Sequence, residues 1–421
     1  MSSDDVGTFV PIGCYAWPAM PTEDAIRRFV GPILERLRKR HAAPHVAEDR
    51  LRRTRSDDGD AAEAPVCNVL LRELAATLDP WAAGDAGADT LRLVVLPPCE
   101  DADLLEHWAS ANGHRLVSAP PLDPASLERP LIDRPHDRAS PLAGALAGLL
   151  ADPAPDDTAR VFVVPHLEHW FLRHRHGLAL ARALLAGLDA SRRRWVVGCN
   201  SWAWRYLQKA ADADAILPRG LGFSAFDANR LRGWIAESGT GKRDGRALCF
   251  RRADSGAVVL RVPSDASQPP PEGPAEDHFR VLAAHSFGIP WVAWHTWRES
   301  LRSRVDADTP AGEHAPPDRG EPGDRRPDER VFWIADVEAF TLPQGREPDA
   351  LLVLHALLLH GGLGIDALRA VLPTTQALAV VPALLSAGFI AHGARGLHCR
   401  ALAYPAIRRA LVAAGYPADI L

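Results

Sequence analysis

At 421 residues the chain is too long for a single hydrophobic core, so two or three domains are expected. Its 47% apolar and 24% charged residues match a water-soluble globular protein, and a net charge of −5 gives no bulk attraction to nucleic acid or an anionic membrane. The six cysteines are scattered without a C-x-x-C pair, which points to reduced thiols and away from a disulfide framework or zinc ribbon.

The first twenty residues are apolar and aromatic but broken by prolines, as in a packed arm. A helix is predicted from Thr22 to Arg40, with Thr22 as cap and Ile26, Phe29, Val30, Ile33, Leu34 and Leu37 at helical spacing. Residues 41–64 are polar and predict a loop, followed by a helix near 66–78. Leu91–Leu96 is the first strong strand, stopped by Pro97-Pro98. Asp101 or Asp103 then starts a helix closed by Gly113, and residues 114–118 make a short strand. A helix is predicted at 141–150, a β-branched strand at 161–165, and a helix around 178–188. The strand Arg194–Asn200 and the helix 202–210 follow, then a short strand at 215–217. Alternating strands and helices at this spacing predict an α/β fold: a mostly parallel sheet with helices on both faces.

Beyond this the pattern changes. Residues 247–250 and 257–262 predict a hairpin through Asp254-Ser255-Gly256. Helices at 279–287 and 291–304 lie between two linkers, 264–276 and 306–330, rich in Pro and acidic residues. At the C-terminus, helices at 350–359, 365–372 and 374–387 precede a small hairpin over 389–399 and a last helix at 405–414, the pattern of a winged helix.

The order of strand, helix, acidic-ended strand and Asn-ended strand resembles P-loop NTPases of the AAA+/STAND class. The resemblance implies a P-loop NTPase-like core at 65–222, a helical lid at 223–305 and a winged-helix domain at 345–421. The arm 1–64 and the linker 306–344 complete the chain. It also implies that strand 91–96 precedes the phosphate loop, strand 161–165 is Walker B, and Asn200 is sensor-like. The family motif G-x-x-x-x-G-K-[ST] wraps phosphates with backbone N–H groups and a lysine. Pro97-Pro98-Cys99-Glu100-Asp101-Ala102-Asp103 stands in its place, without glycine or lysine and with three carboxylates. Each would repel a triphosphate by roughly 4 kcal/mol at 4 Å and an effective dielectric near 20.

Lysine occurs only at Lys39, Lys209 and Lys242, a bias typical of a GC-rich bacterial genome. Gly239-Thr240-Gly241-Lys242-Arg243 follows a helix and lacks the Ser/Thr, so it predicts a surface turn. Pro165-His166 displaces the Walker B aspartate and leaves Glu168 as the candidate catalytic carboxylate. Its bland role is a pair with Arg173 or a backbone donor. His166, Glu168, His169, His174 and His176 crowd together, and His166, Glu168 and His169 are the candidate metal ligands, in no known spacing.

The expected function is non-catalytic: a degenerate, regulatory or scaffolding protein with a protein partner, either an ATPase paralogue or a membrane protein. No cofactor is expected. The alternatives are an ATP/Mg²⁺-binding protein with an unorthodox site, a metal-dependent hydrolase at His166/Glu168/His169, and a winged-helix DNA-binding regulator. Nucleic acid is disfavoured because helix 374–387 carries no Lys or Arg. No signal peptide or membrane-inserted helix is expected, so a cytoplasmic location follows.

Overall fold

The computed structural model describes residues 9–20, 51–53, 64–84, 90–122, 161–239, 247–263, 276–304 and 329–419. The expected helices at 22–40 and 141–150, and residues 240–243 of the Gly-Lys turn, lie outside them.

In chain order the elements begin with β1 (Val10–Pro11), β2 (Leu51–Arg53), α1 (Asn68–Ala83), β3 (Leu91–Leu96), α2 (Leu104–Ala111), β4 (Arg115–Leu116) and β5 (Phe162–Val164). They continue with α3 (Ala179–Ala190), β6 (Trp195–Asn200), α4 (Ser201–Ala210), β7 (Leu221–Gly222), α5 (Ala228–Gly239), β8 (Ala247–Arg252) and β9 (Val258–Val262). Next are α6 (Glu276–His285), α7 (Pro290–Ser300), β10 (Leu301–Arg304), β11 (Glu329–Ile334), α8 (Glu347–His360), α9 (Ile365–Val371) and α10 (Val381–Ser386). The chain closes with β12 (Ile390–Gly393), β13 (Gly396–Cys399) and α11 (Tyr404–Ala413). Two compact units divide these elements. One comprises residues 1–16, 66–224 and 340–421, and the other 17–65 and 225–339.

The first unit is built on a six-stranded sheet in the order β1-β7-β3-β6-β5-β4. All pairings are parallel except β1 with β7. β3 pairs along its length with β6, from Leu91↔Trp195 to Leu96↔Asn200, so both strands end at one level. Every residue of β5 and β6 is buried, as continuous apolar runs require when both faces are covered. Gly198 is needed within β6, because a Cβ there would strike the Pro165 carbonyl oxygen and Leu105. The turn after β5 and helix α2 therefore press directly on β6.

The C-terminal part of this unit folds around α8. This helix is apolar on all sides and buries nine residues, as a central helix must. Gly361 ends it in the left-handed conformation at φ +66°. The third helix expected at 374–387 is instead a 3-10 stretch (Thr375–Val380) followed by α10. Pro382 thus falls in the first turn of α10, where its missing N–H is harmless. β12 and β13 pair antiparallel from Ile390↔Cys399 to Gly393↔Gly396.

The second unit holds a five-stranded sheet in the order β2-β10-β11-β8-β9, antiparallel except for β8 beside β11. Its core is aromatic: Phe250 stacks on Phe332, and Phe279 on Trp297. The connection from α6 to α7 uses two left-handed residues, Phe287 and Gly288, and Phe226 N–H donates to the Gly288 carbonyl at 2.9 Å.

Several expected elements differ. Residues 215–217 are not a strand. Leu217 N–H bonds back to the Ala213 carbonyl in a helical turn, and the strand falls later at β7. Helix 291–304 stops at Ser300, whose hydroxyl donates to the Trp297 carbonyl and whose own carbonyl joins β11 through Ala335 N–H. Residues 301–304 are β10. Residues 329–334, placed in the linker 306–344, form β11, and residues 51–53, placed in a loop, form β2.

Candidate functional site

Parallel sheets present ligands and catalytic groups at the C-terminal ends of their strands. In this chain the ends of β3, β5 and β6 meet there with the start of α2. The loop after β3 folds over itself. Cys99 and Asp103 adopt left-handed backbones at φ 61° and 49°, uncommon for non-glycine residues. The Glu100 carboxyl group accepts the Ala102 N–H at 3.0 Å and the Leu104 N–H at 3.4 Å, so it sits over the first turn of α2. Burial, against the pull of His166 and helped by Asp103 and Asp101, pushes this carboxyl up to about 7.

The turn after β5 carries His166, then the 3-10 turn Leu167–Trp170 with Glu168 and His169. His166 is the hub. Its Nδ1 lies 3.3 Å from Glu168 Oε1, and its Nε2 lies 3.6 Å from Asp103 Oδ1 and 4.0 Å from Glu106 Oε1. Burial opposes a charge on this ring, but the bonds to Asp103 and Glu168 and the nearby Glu100 outweigh it and raise His166 to about 10. Glu168 is 5% exposed, and its Oε2 accepts the Asn200 backbone N–H at 3.1 Å. Burial alone would raise it; the His166 hydrogen bond and charge win and lower it to about 2. His169 packs its ring 4.7 Å from His166, and burial lowers it to about 3.

Asn200 is engaged on both sides. Its Oδ1 accepts the Ala203 N–H and caps α4, while its Nδ2 donates to the Leu359 carbonyl of α8 at 3.4 Å. Of the two partners expected for Glu168, the backbone donor is present, as Asn200 N–H, while Arg173 turns elsewhere. Its backbone N–H donates to His360 Nε2 at 3.3 Å, and its guanidinium reaches His355 Nδ1 and the Val371 carbonyl. That correction follows from the 3-10 turn, which puts Glu168 toward β6 and Arg173 toward α8.

Of the histidine crowd, His166, Glu168 and His169 come together, and His174 and His176 pair with each other. Among the described residues two groups have metal-ligating atoms within 4.8 Å of one another: His166–Glu168–His169 and Asp103–Glu106–His166. The sequence did not single out Glu106, and it marked Asp103 only as a possible helix start and as one of three carboxylates in the place of the phosphate loop. The Asp103-x-x-Glu106 spacing, which stacks two carboxylates on one helix face, was the available signal.

The chain is thus a mixed α/β protein with a mostly parallel sheet and an acidic, histidine-centred cluster at its strand ends. No family model and no curated protein matches the sequence. Among solved structures, the Aeropyrum pernix ORC2 protein, described in ADPNP-ADP complexes, aligns at 13% identity over 85% of this chain and 97% of its own. Its TM-score of 0.31 is too low for any argument to rest on it. No helix among the described residues is long and apolar enough to cross a membrane.

Proposed function

We propose that this chain is a non-catalytic, P-loop NTPase-like protein of AAA+/STAND type that regulates or scaffolds through protein contacts, with residues 345–421 as its winged helix. One observation carries the reading: the Glu100 carboxyl group occupies the Ala102 N–H of the loop after β3 and the Leu104 N–H at the start of α2. Phosphate binding at such a loop depends on free backbone donors and the positive end of a helix. A carboxyl group already bonded to two of those donors takes them from a nucleotide phosphate, and Asp101 and Asp103 beside it add repulsion.

The other family positions support the same reading. Glu168 is paired with His166 and Asn200 N–H, and the Asn200 side chain is shared between α4 and α8. Magnesium-ATP therefore does not fit these residues. The proposed partner is a protein, an intact ATPase paralogue or a membrane protein, and the proposed location is cytoplasmic. Titration with a fluorescent ATP analogue and Mg²⁺ should give no saturable signal up to about 1 mM, where binding free energy is only about 4 kcal/mol. A micromolar dissociation constant would sink the reading.

A further inference from the structure

We propose that Asp103, Glu106 and His166 form a binding site for a divalent transition-metal ion of the zinc class, with Glu168 as the residue that orients His166. The site lies outside the nucleotide question, since none of its donors needs a phosphate.

Geometry supplies the first argument. Two donors each about 2.1 Å from one ion sit about 3.4 Å apart in a tetrahedron and no more than about 4.2 Å apart in any arrangement. The His166 Nε2 to Asp103 Oδ1 separation is 3.6 Å and the His166 Nε2 to Glu106 Oε1 separation is 4.0 Å. Both fall inside that window. The Asp103 and Glu106 side chains are 52% and 36% exposed, so small rotations can bring their oxygens closer. The same exposure leaves a side for water as a further ligand.

The second argument lies behind the histidine. A metal-bound imidazole characteristically gives its other ring N–H to a carboxylate, which fixes its tautomer and direction. His166 Nδ1 faces Glu168 Oε1 at 3.3 Å, and Glu168 is itself held by the Asn200 N–H. The imidazole therefore points Nε2 at the two outer carboxylates, and an ion bound there takes the place of the Nε2 proton, which is released on uptake. This arrangement also decides between the two candidate groups. In His166–Glu168–His169 the oxygen nearest His166 already accepts from Nδ1, and the other oxygen is on Asn200. Placing an ion there would break the bonds that hold the turn.

The third argument is chemical class. One imidazole and two carboxylates suit zinc, manganese or ferrous iron better than calcium, which prefers an all-oxygen shell. The outcome is a structural clamp between the end of β5, at Val164, and the start of α2, at Leu104, which are far apart in the chain.

The test is equilibrium titration of chelator-treated full-length protein with Zn²⁺ alone, and with Co²⁺ alone as a coloured probe. One equivalent should bind, and a Co²⁺ visible band should appear and be displaced by Zn²⁺. D103N, E106Q and H166Q should each weaken binding at least tenfold. E168Q should weaken it about tenfold without changing the stoichiometry, as expected of an orienting carboxylate. The paired H174Q/H176Q variant should bind as the parent does. D103N and E106Q alter exposed side chains, so their folding can be checked by circular dichroism and the result read even if H166Q fails to fold. No uptake by the folded protein would overturn the proposal. So would binding that survives D103N and E106Q, or binding that is lost with H174Q/H176Q.

Discussion

Arg173 holds two histidines in their neutral form. His360 Nε2 accepts from its backbone N–H and His355 Nδ1 from its guanidinium, and a protonated ring could do neither. Burial first, and the Arg173 charge after it, bring both histidines to about 3. The sign follows directly. An unfolded histidine titrates near 6.5, so between about pH 6.5 and 3 the unfolded chain takes up protons that the native chain refuses. Stability is therefore fully present above pH 6.5 and falls as the pH drops, by up to about 1.4 kcal/mol per pH unit for each such proton. Urea unfolding from pH 8 to pH 4 should show a declining midpoint, and His355→Gln should make the decline shallower. A flat profile in the parent protein would contradict the assignment.

At the scale of elements, Gly198 decides how closely the turn after β5 and helix α2 can approach β6. A methyl group there meets the backbone at Pro165, which has no freedom to move aside. Gly198→Ala should cost about 2–3 kcal/mol in chemical denaturation, as overpacking in a tight core does. Gly233, by contrast, has open space about it within α5, and Gly233→Ala should gain up to about 1 kcal/mol from helix propensity.

The same elements show what was legible beforehand. β3, β5, β6 and α8 were clear because their apolar runs are long and uniform, and burial on all sides leaves such runs unmixed. β2, β10 and β11 were hidden, since each is short or embedded in polar, proline-rich sequence and gains its identity only from its neighbours in the sheet. Residues 215–217 show the converse, a short apolar run equally compatible with strand and helical turn. In the candidate site, His166, Glu168 and His169 were visible as a local cluster. Asp103 and Glu106 were not joined to them, because that contact depends on where α2 packs, which no local pattern encodes.

For the whole molecule, the first unit is closed by the C-terminal tail. The Asp419 side chain is fully buried and accepts from Tyr404 OH at 2.8 Å, Ser201 Oγ at 3.1 Å and Arg408 Nε at 2.8 Å. It links α4 of the sheet layer to α11. Asp419→Ala would remove one acceptor shared by the Arg408 guanidinium and the Ser201 and Tyr404 hydroxyls. A loss of about 3–5 kcal/mol is expected, read as a lower thermal midpoint, with Asp419→Asn costing less because it keeps one acceptor oxygen.

Glu100 has a consequence at this scale too. A protein that binds a ligand in its native state is stabilised by mass action, and its abundance and lifetime then track that ligand's concentration. On the proposed reading, with Glu100 on two donors at the start of α2, this chain is uncoupled from that dependence on nucleotide. Its folded population should stay constant while cellular nucleotide pools rise and fall. Thermal midpoints measured with and without added nucleotide should then coincide.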